Sequence, residues 1–108
     1  MAHYLVQAAY TAEAIAAMVK KPEDRAEAIR PVVEKLGGTL ESIWFCFGDY
    51  DVVGISQMPD NVSAAAFAFA VSQGGKVRAF KTTPLMSTAE AVKAMKKAAS
   101  AGYRPPGG

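Results

Sequence analysis

Asp49 and Asp51 flank Tyr50 in the run Gly48-Asp49-Tyr50-Asp51. Two carboxylates two residues apart can hold a divalent cation or serve as an acid/base pair, because neighbouring carboxylates push their pKa values apart. The same residues are turn formers whose side chains satisfy turn amides. His3 is the only histidine. It carries the one side chain that titrates near neutrality, so it could shuttle a proton. A single histidine near a terminus is more often an exposed strand-end residue, and one histidine excludes a His-rich metal site within the chain.

Trp44, Phe45, Phe47, Tyr4 and Tyr10 could line an apolar ligand cavity, or simply form an aromatic core and an interface between copies. Arg78, Lys81, Thr82 and Thr83 could orient an anionic or carbonyl ligand, or belong to a solvated edge strand. Cys46 shares a predicted strand face with Trp44. A thiolate needs an electropositive or helix-end setting, so the reading for Cys46 is a buried packing residue. No P-loop, GxGxxG, HExxH, CxxC or nucleophile-elbow pattern occurs, which removes most cofactor-dependent enzyme classes. No cofactor and no metal is expected. Asn61-Val62-Ser63 matches a glycosylation sequon that has no meaning without a secretory signal.

The elements that must position these groups centre on Leu40 to Gln57, LESIWFCFGDYDVVGISQ. Apolar, β-branched and aromatic runs flank a short Gly/Asp cluster, which predicts a β-hairpin. His3 to Tyr10 alternates as a first strand, with Tyr4, Val6, Ala8 and Tyr10 facing the core. Thr11 is a helix N-cap with Glu13 in the first turn, and Pro22 interrupts that helix. A second helical pattern spans Glu23 to Leu36 and stops at Gly37-Gly38; Pro31 within it predicts a kink or restart. Asn61 to Gln73 is a helix apolar on nearly every side, and so expected to be buried on more than one face. Val77 to Thr83 is a fourth strand. Ser87-Thr88-Ala89-Glu90 is a capping box opening a last helix with Val92, Met95 and Ala99 on its apolar face.

The order is α+β: a ferredoxin-like βαββαβ arrangement with an added C-terminal helix on an antiparallel four-stranded sheet. Residues 1–102 form one domain, and 103–108 form an extended Pro/Gly tail. Such a sheet has one face covered by helices and one open. Both sides of the aromatic strand are apolar: Ile43, Phe45 and Phe47 point one way, Trp44 and Cys46 the other. The open side needs cover, which predicts a homodimer or higher homo-oligomer packed sheet against sheet.

Composition narrows the partners. Of 108 residues 51% are apolar and 20% charged, with 12 basic against 10 acidic, net +2. The cations are scattered, so no nucleic-acid footprint is formed. One cysteine permits no internal disulfide and suits a reducing cytoplasm. The N-terminus lacks a positively charged leader region, and no apolar run reaches the roughly 18–20 residues of a membrane span.

The chain resembles the GYD-domain family. The residues that carry the likeness are Tyr10-Thr11, Leu36-Gly37-Gly38, Leu40-Glu41-Ser42, Gly48-Asp49-Tyr50-Asp51, Pro59-Asp60, the alanine-rich helix, Lys81-Thr82-Thr83-Pro84-Leu85 and the closing Tyr103-Arg104-Pro105-Pro106-Gly107. Pro31 departs from the family pattern, as does Trp44 where tyrosine is more usual. The resemblance implies a dimeric α/β-barrel-type fold of largely unassigned function and brings no catalytic mechanism with it. The expected function is binding of a small, partly apolar molecule at the open sheet face by His3, Trp44, Asp49, Tyr50, Asp51, Lys81 and Thr82. Any chemistry would be cofactor-free proton transfer or oxidation, with His3, Asp49, Tyr50 and Asp51 as its polar groups. The alternative is a structural or regulatory assembly module without ligand or catalysis.

Overall fold

The computed structural model describes residues 1–107. Its elements are β1 (Ala2–Tyr10), α1 (Ala12–Lys20), α2 (Arg25–Lys35), β2 (Thr39–Phe45), β3 (Val52–Met58), α3 (Asn61–Gln73), β4 (Val77–Leu85) and α4 (Thr88–Ala99). The four strands form one antiparallel sheet in the order β2-β3-β1-β4, the ferredoxin-like order expected from the sequence.

Every helix begins on a side chain that accepts one of its orphan amides. Thr11 Oγ1 accepts from Ala14 N at 3.1 Å, Asp24 Oδ1 from Ala26 N at 2.9 Å and Asp60 Oδ1 from Ser63 N at 2.8 Å. Ser87 and Glu90 close a reciprocal capping box at α4. α2 ends where Gly37 adopts a left-handed φ of +86°, a conformation that costs glycine nothing. Gly38 follows under the tightest approach in the chain: a Cβ there would sit 2.4 Å from Gln57 O and 2.6 Å from Met58 Sδ.

The core joins β1, α2, β3 and α3 through Tyr4, Val33, Met58, Ala64 and Phe67. Phe67 meets Phe80 of β4 edge to face at 6.1 Å, a favoured aromatic geometry. Tyr4 is buried, and its hydroxyl donates to Asn61 Oδ1 at 2.6 Å.

Three expectations are corrected. Of the kink or restart expected at Pro31, the restart is overturned, since α2 is one continuous helix across it; Pro31 and Glu27 are both exposed, so water can serve the Glu27 carbonyl that Pro31 has no amide to bond. α3 buries only Ala64 and Phe67, leaving Val62 and Phe69 exposed within a single chain; one sheet face is all the chain offers it. Phe47 does not share the Ile43 and Phe45 face, because β2 ends at Phe45 and Phe47 stands in solvent in the connection.

α4 buries no residue, and Val92 and Met95 are exposed. The radius of gyration is 17.5 Å, against about 13 Å for a compact domain of 100 residues. The accessible surface of 7667 Å² likewise exceeds the roughly 5,800 Å² of a compact monomer of this mass.

Candidate functional site

Strand pairing places each candidate side chain on one face of the sheet. Val6, Ala8 and Tyr10 line the helix-covered side; Leu5, Gln7 and His3 therefore belong to the open side. Three rows cross that open face. Trp44 lies beside Val53, Gln7 and Lys81; Ser42 beside Ile55, Leu5 and Thr83; Thr39 beside Gln57, His3 and Leu85. Trp44 is 68% exposed. The face thus carries one contiguous apolar band, Trp44, Val53, Ile55 and Leu5, bordered by Gln7, Ser42, Gln57 and His3.

At one corner the Glu41 carboxylate accepts from Gln57 Nε2 at 2.6 Å and lies 3.0 Å from His3 Nε2. Glu41 is the extra residue of a bulge between Leu40 and Ser42, and a bulge re-aims a side chain without disturbing the ladder on either side. Both His3 and Glu41 are substantially exposed.

The hairpin connection is at the other end of the sheet. Asp51 Oδ2 accepts from Tyr10 N at 2.8 Å, Asp51 N donates to Ala8 O at 2.9 Å, and Asp51 O accepts from Cys46 N at 2.8 Å. Asp51 therefore splices the turn onto β1, the turn-forming role weighed against acid/base work. Asp49 is exposed and Tyr50 half-buried. His3 pairs with Gln57 while the connection begins beyond Val52, five residues or about 17 Å along the strand. His3 is not brought together with Asp49, Tyr50 and Asp51. Thr82 pairs with Val6 and so faces the helices, opposite to Lys81 and Thr83. Arg78 falls at the β1–β4 register shift and is exposed.

Cys46 is not a buried packing residue. It is exposed, one position past the end of β2, with Sγ donating to Tyr50 O at 3.2 Å. Among the described residues no group of three or more His, Cys, Asp and Glu is placed to hold a metal, and no helix is long and apolar enough to cross a membrane.

On the covered side of the sheet lies a cavity of about 70 Å³ lined by Val6, Ala8, Ile43, Val33, Phe67 and Phe80 among others. Ser56 and Arg25 line it too, and Ser56 Oγ and Arg25 Nε are buried without a hydrogen-bond partner. Neither residue stood out in the sequence. The available signal was Gly54 inside a strand pattern, which marks a place where side-chain volume is missing.

Three carboxylates are held below their ordinary range, each by a hydrogen bond to its charged form. Ser63 N lowers Asp60, Ser87 N lowers Glu90 with smaller contributions from Lys93 and His3, and the Lys76 ammonium lowers Glu13. All three serve helix ends or the surface, not a cleft.

A profile of the family described as GYD domain matches residues 4–95. Among solved structures, the crystal structure of FFRP-DM1 is similar over 80% of this chain and 100% of that one, at 11% identity and a TM-score of 0.50. At that identity the likeness shows the fold alone. A search of curated proteins gave no match.

Proposed function

The chain belongs to the GYD-domain family, and from that premise we propose that it works as a homo-oligomer whose open sheet faces pack together and hold a small, partly apolar molecule between them. The observation that carries this reading is the open face itself: Trp44, 68% exposed, and the half-buried Val53, Ile55 and Leu5 form a band across three strands. An apolar band of that kind on a small protein marks an association surface.

The surface excess supports the same reading. About 1,900 Å² more is accessible than a compact monomer of this mass would show, and a standard interface takes roughly 800 Å² from each partner. His3, Lys81 and Thr83 at the margins of the band supply the polar groups that would orient a ligand. Asp49 and Tyr50 approach it only from the hairpin end, and Thr82 faces away. Partners in this reading are a second copy and the small molecule, with no role for nucleic acid or membrane, in the cytoplasm.

Native mass spectrometry of the protein as purified from cells tests both parts at once. A multimer carrying a discrete extra mass supports the reading and yields the ligand. A bare multimer favours an assembly module without ligand, and a bare monomer overturns the sheet-to-sheet packing.

A further inference from the structure

We infer that the cavity on the helix-covered side of the sheet is a second, separate site, built for a small organic carboxylate with a short apolar chain. Its volume of about 70 Å³ is several times the 10–15 Å³ needed to hold one water. Its wall is almost wholly aliphatic and aromatic, and genuinely apolar cavities stay dry. Two polar atoms break that wall. Ser56 is 3% exposed, yet its hydroxyl has no partner, and the Nε–H of Arg25 is enclosed without an acceptor.

Neither group is explained by packing, since buried donors are almost always satisfied in folded proteins. They come from different elements: Arg25 opens α2 directly after the N-cap Asp24, and Ser56 lies on β3. The cavity is therefore an apolar space whose wall is broken by one cation and one hydroxyl.

Glu23 accepts from Arg25 Nη1 at 3.0 Å, and the Nε–H of the same guanidinium is a buried donor left without an acceptor. A carboxylate oxygen is the acceptor that matches a guanidinium N–H most strongly. The apolar body of the molecule would then lie along Val6, Ile43 and Phe80. A hydroxyl or carbonyl at its far end would reach Ser56. Phosphate fits less well, because it would place several charged oxygens against hydrocarbon with one donor to meet them.

The test is isothermal titration of the full chain with acetate and propionate, using ethanol and 1-propanol as neutral counterparts. The carboxylates should bind saturably and about tenfold more tightly than the alcohols, the difference expected for one charge-assisted hydrogen bond. Arg25→Met should erase that difference. Ser56→Ala, which removes an orphan group, should leave the ligand-free melting temperature unchanged or higher while lowering affinity for 3-hydroxypropionate. Trp44→Ala should leave carboxylate binding unchanged, because Trp44 lies on the other side of the sheet. Absence of saturable binding by either carboxylate overturns the inference and leaves a cavity filled by water. So does an Arg25→Met chain that keeps the preference for carboxylate over alcohol.

Discussion

The hydroxyl of Tyr4, a buried residue near the start of β1, donates to the side-chain oxygen of Asn61 at 2.6 Å and so ties an inner strand of the sheet to the first turn of α3. Asn61 itself is exposed, so water can replace the tyrosine as its donor once the hydroxyl is removed. Tyr4→Phe should accordingly cost only about 1 kcal/mol, the net worth of one ordinary hydrogen bond. Urea unfolding followed by circular dichroism measures it; a loss above about 3 kcal/mol would mean that the ring, and not the bond, had been disturbed.

Gly38 permits a different kind of contact. A Cβ here would sit 2.4 Å from the backbone oxygen of Gln57, 2.6 Å from Met58 Sδ and 3.2 Å from Val33 Cγ1, and Met58 and Val33 are themselves fully buried. Gly38→Ala should destabilise by at least about 1–3 kcal/mol, the range for overpacking a filled site. Gly75, whose substitution meets no atom but whose φ is +71°, is the control: Gly75→Ala should cost less, about 1 kcal/mol of left-handed strain.

Trp44 separates fold from assembly. It is 68% exposed within the single chain, so Trp44→Ala should leave monomer secondary structure intact. If the open faces meet, the same change should weaken self-association about thirtyfold, the effect of removing an aromatic anchor worth ~2 kcal/mol at an interface centre. Sedimentation velocity over a concentration series checks this. An unchanged association constant would place the interface elsewhere, with α4 and the outer face of α3 next in line.

Acid should loosen the helix starts before anything else. The cap hydrogen bonds hold Asp60 and Glu90 below their ordinary values of 3.8 and 4.5. A carboxylate depressed in the folded state contributes stability that is fully present above its unfolded value and is lost as pH falls through the folded one. The melting temperature should therefore fall from about pH 4.5 downward. In the double variant Asp60→Asn, Glu90→Gln, which keeps acceptors but no titration, that acid limb should flatten. A limb of unchanged slope would assign the acid sensitivity to other carboxylates.

Much of this molecule can be read from local pattern. Thr11, Asp60 and Ser87 each announce a helix start, and each accepts the amide that its position demands. Tyr4 and Ala8 alternate into the core as a strand period requires. What local pattern misses is relational. Pro31 looks like a break until its solvent-facing setting is known, and Cys46 looks buried because the strand appears two residues longer than it is. The cavity that Arg25 and Ser56 line is a shortage of volume among side chains from six elements, visible in no single stretch; only Gly54 hints at it. Exposed Phe69 and Val62 on α3 break the expected burial because one chain has only one sheet face to offer.

The strand order has a consequence for how the chain comes together in time. β1 is made first yet lies inside the sheet, and one of its two neighbours is β4, the last strand: Tyr4 pairs with Pro84 and Ala8 with Phe80. A nascent chain can close the β2–β3 hairpin early, because that pairing is local. It cannot finish the sheet until nearly all of its length has left the ribosome. Until then one edge of β1 stays open, and such edges recruit strands from other molecules. Pairings so distant along the chain slow folding, since a long loop must close before any contact repays it. Removal of β4 should thus make the domain aggregate, even though the core residues of β1, α2 and β3 all remain.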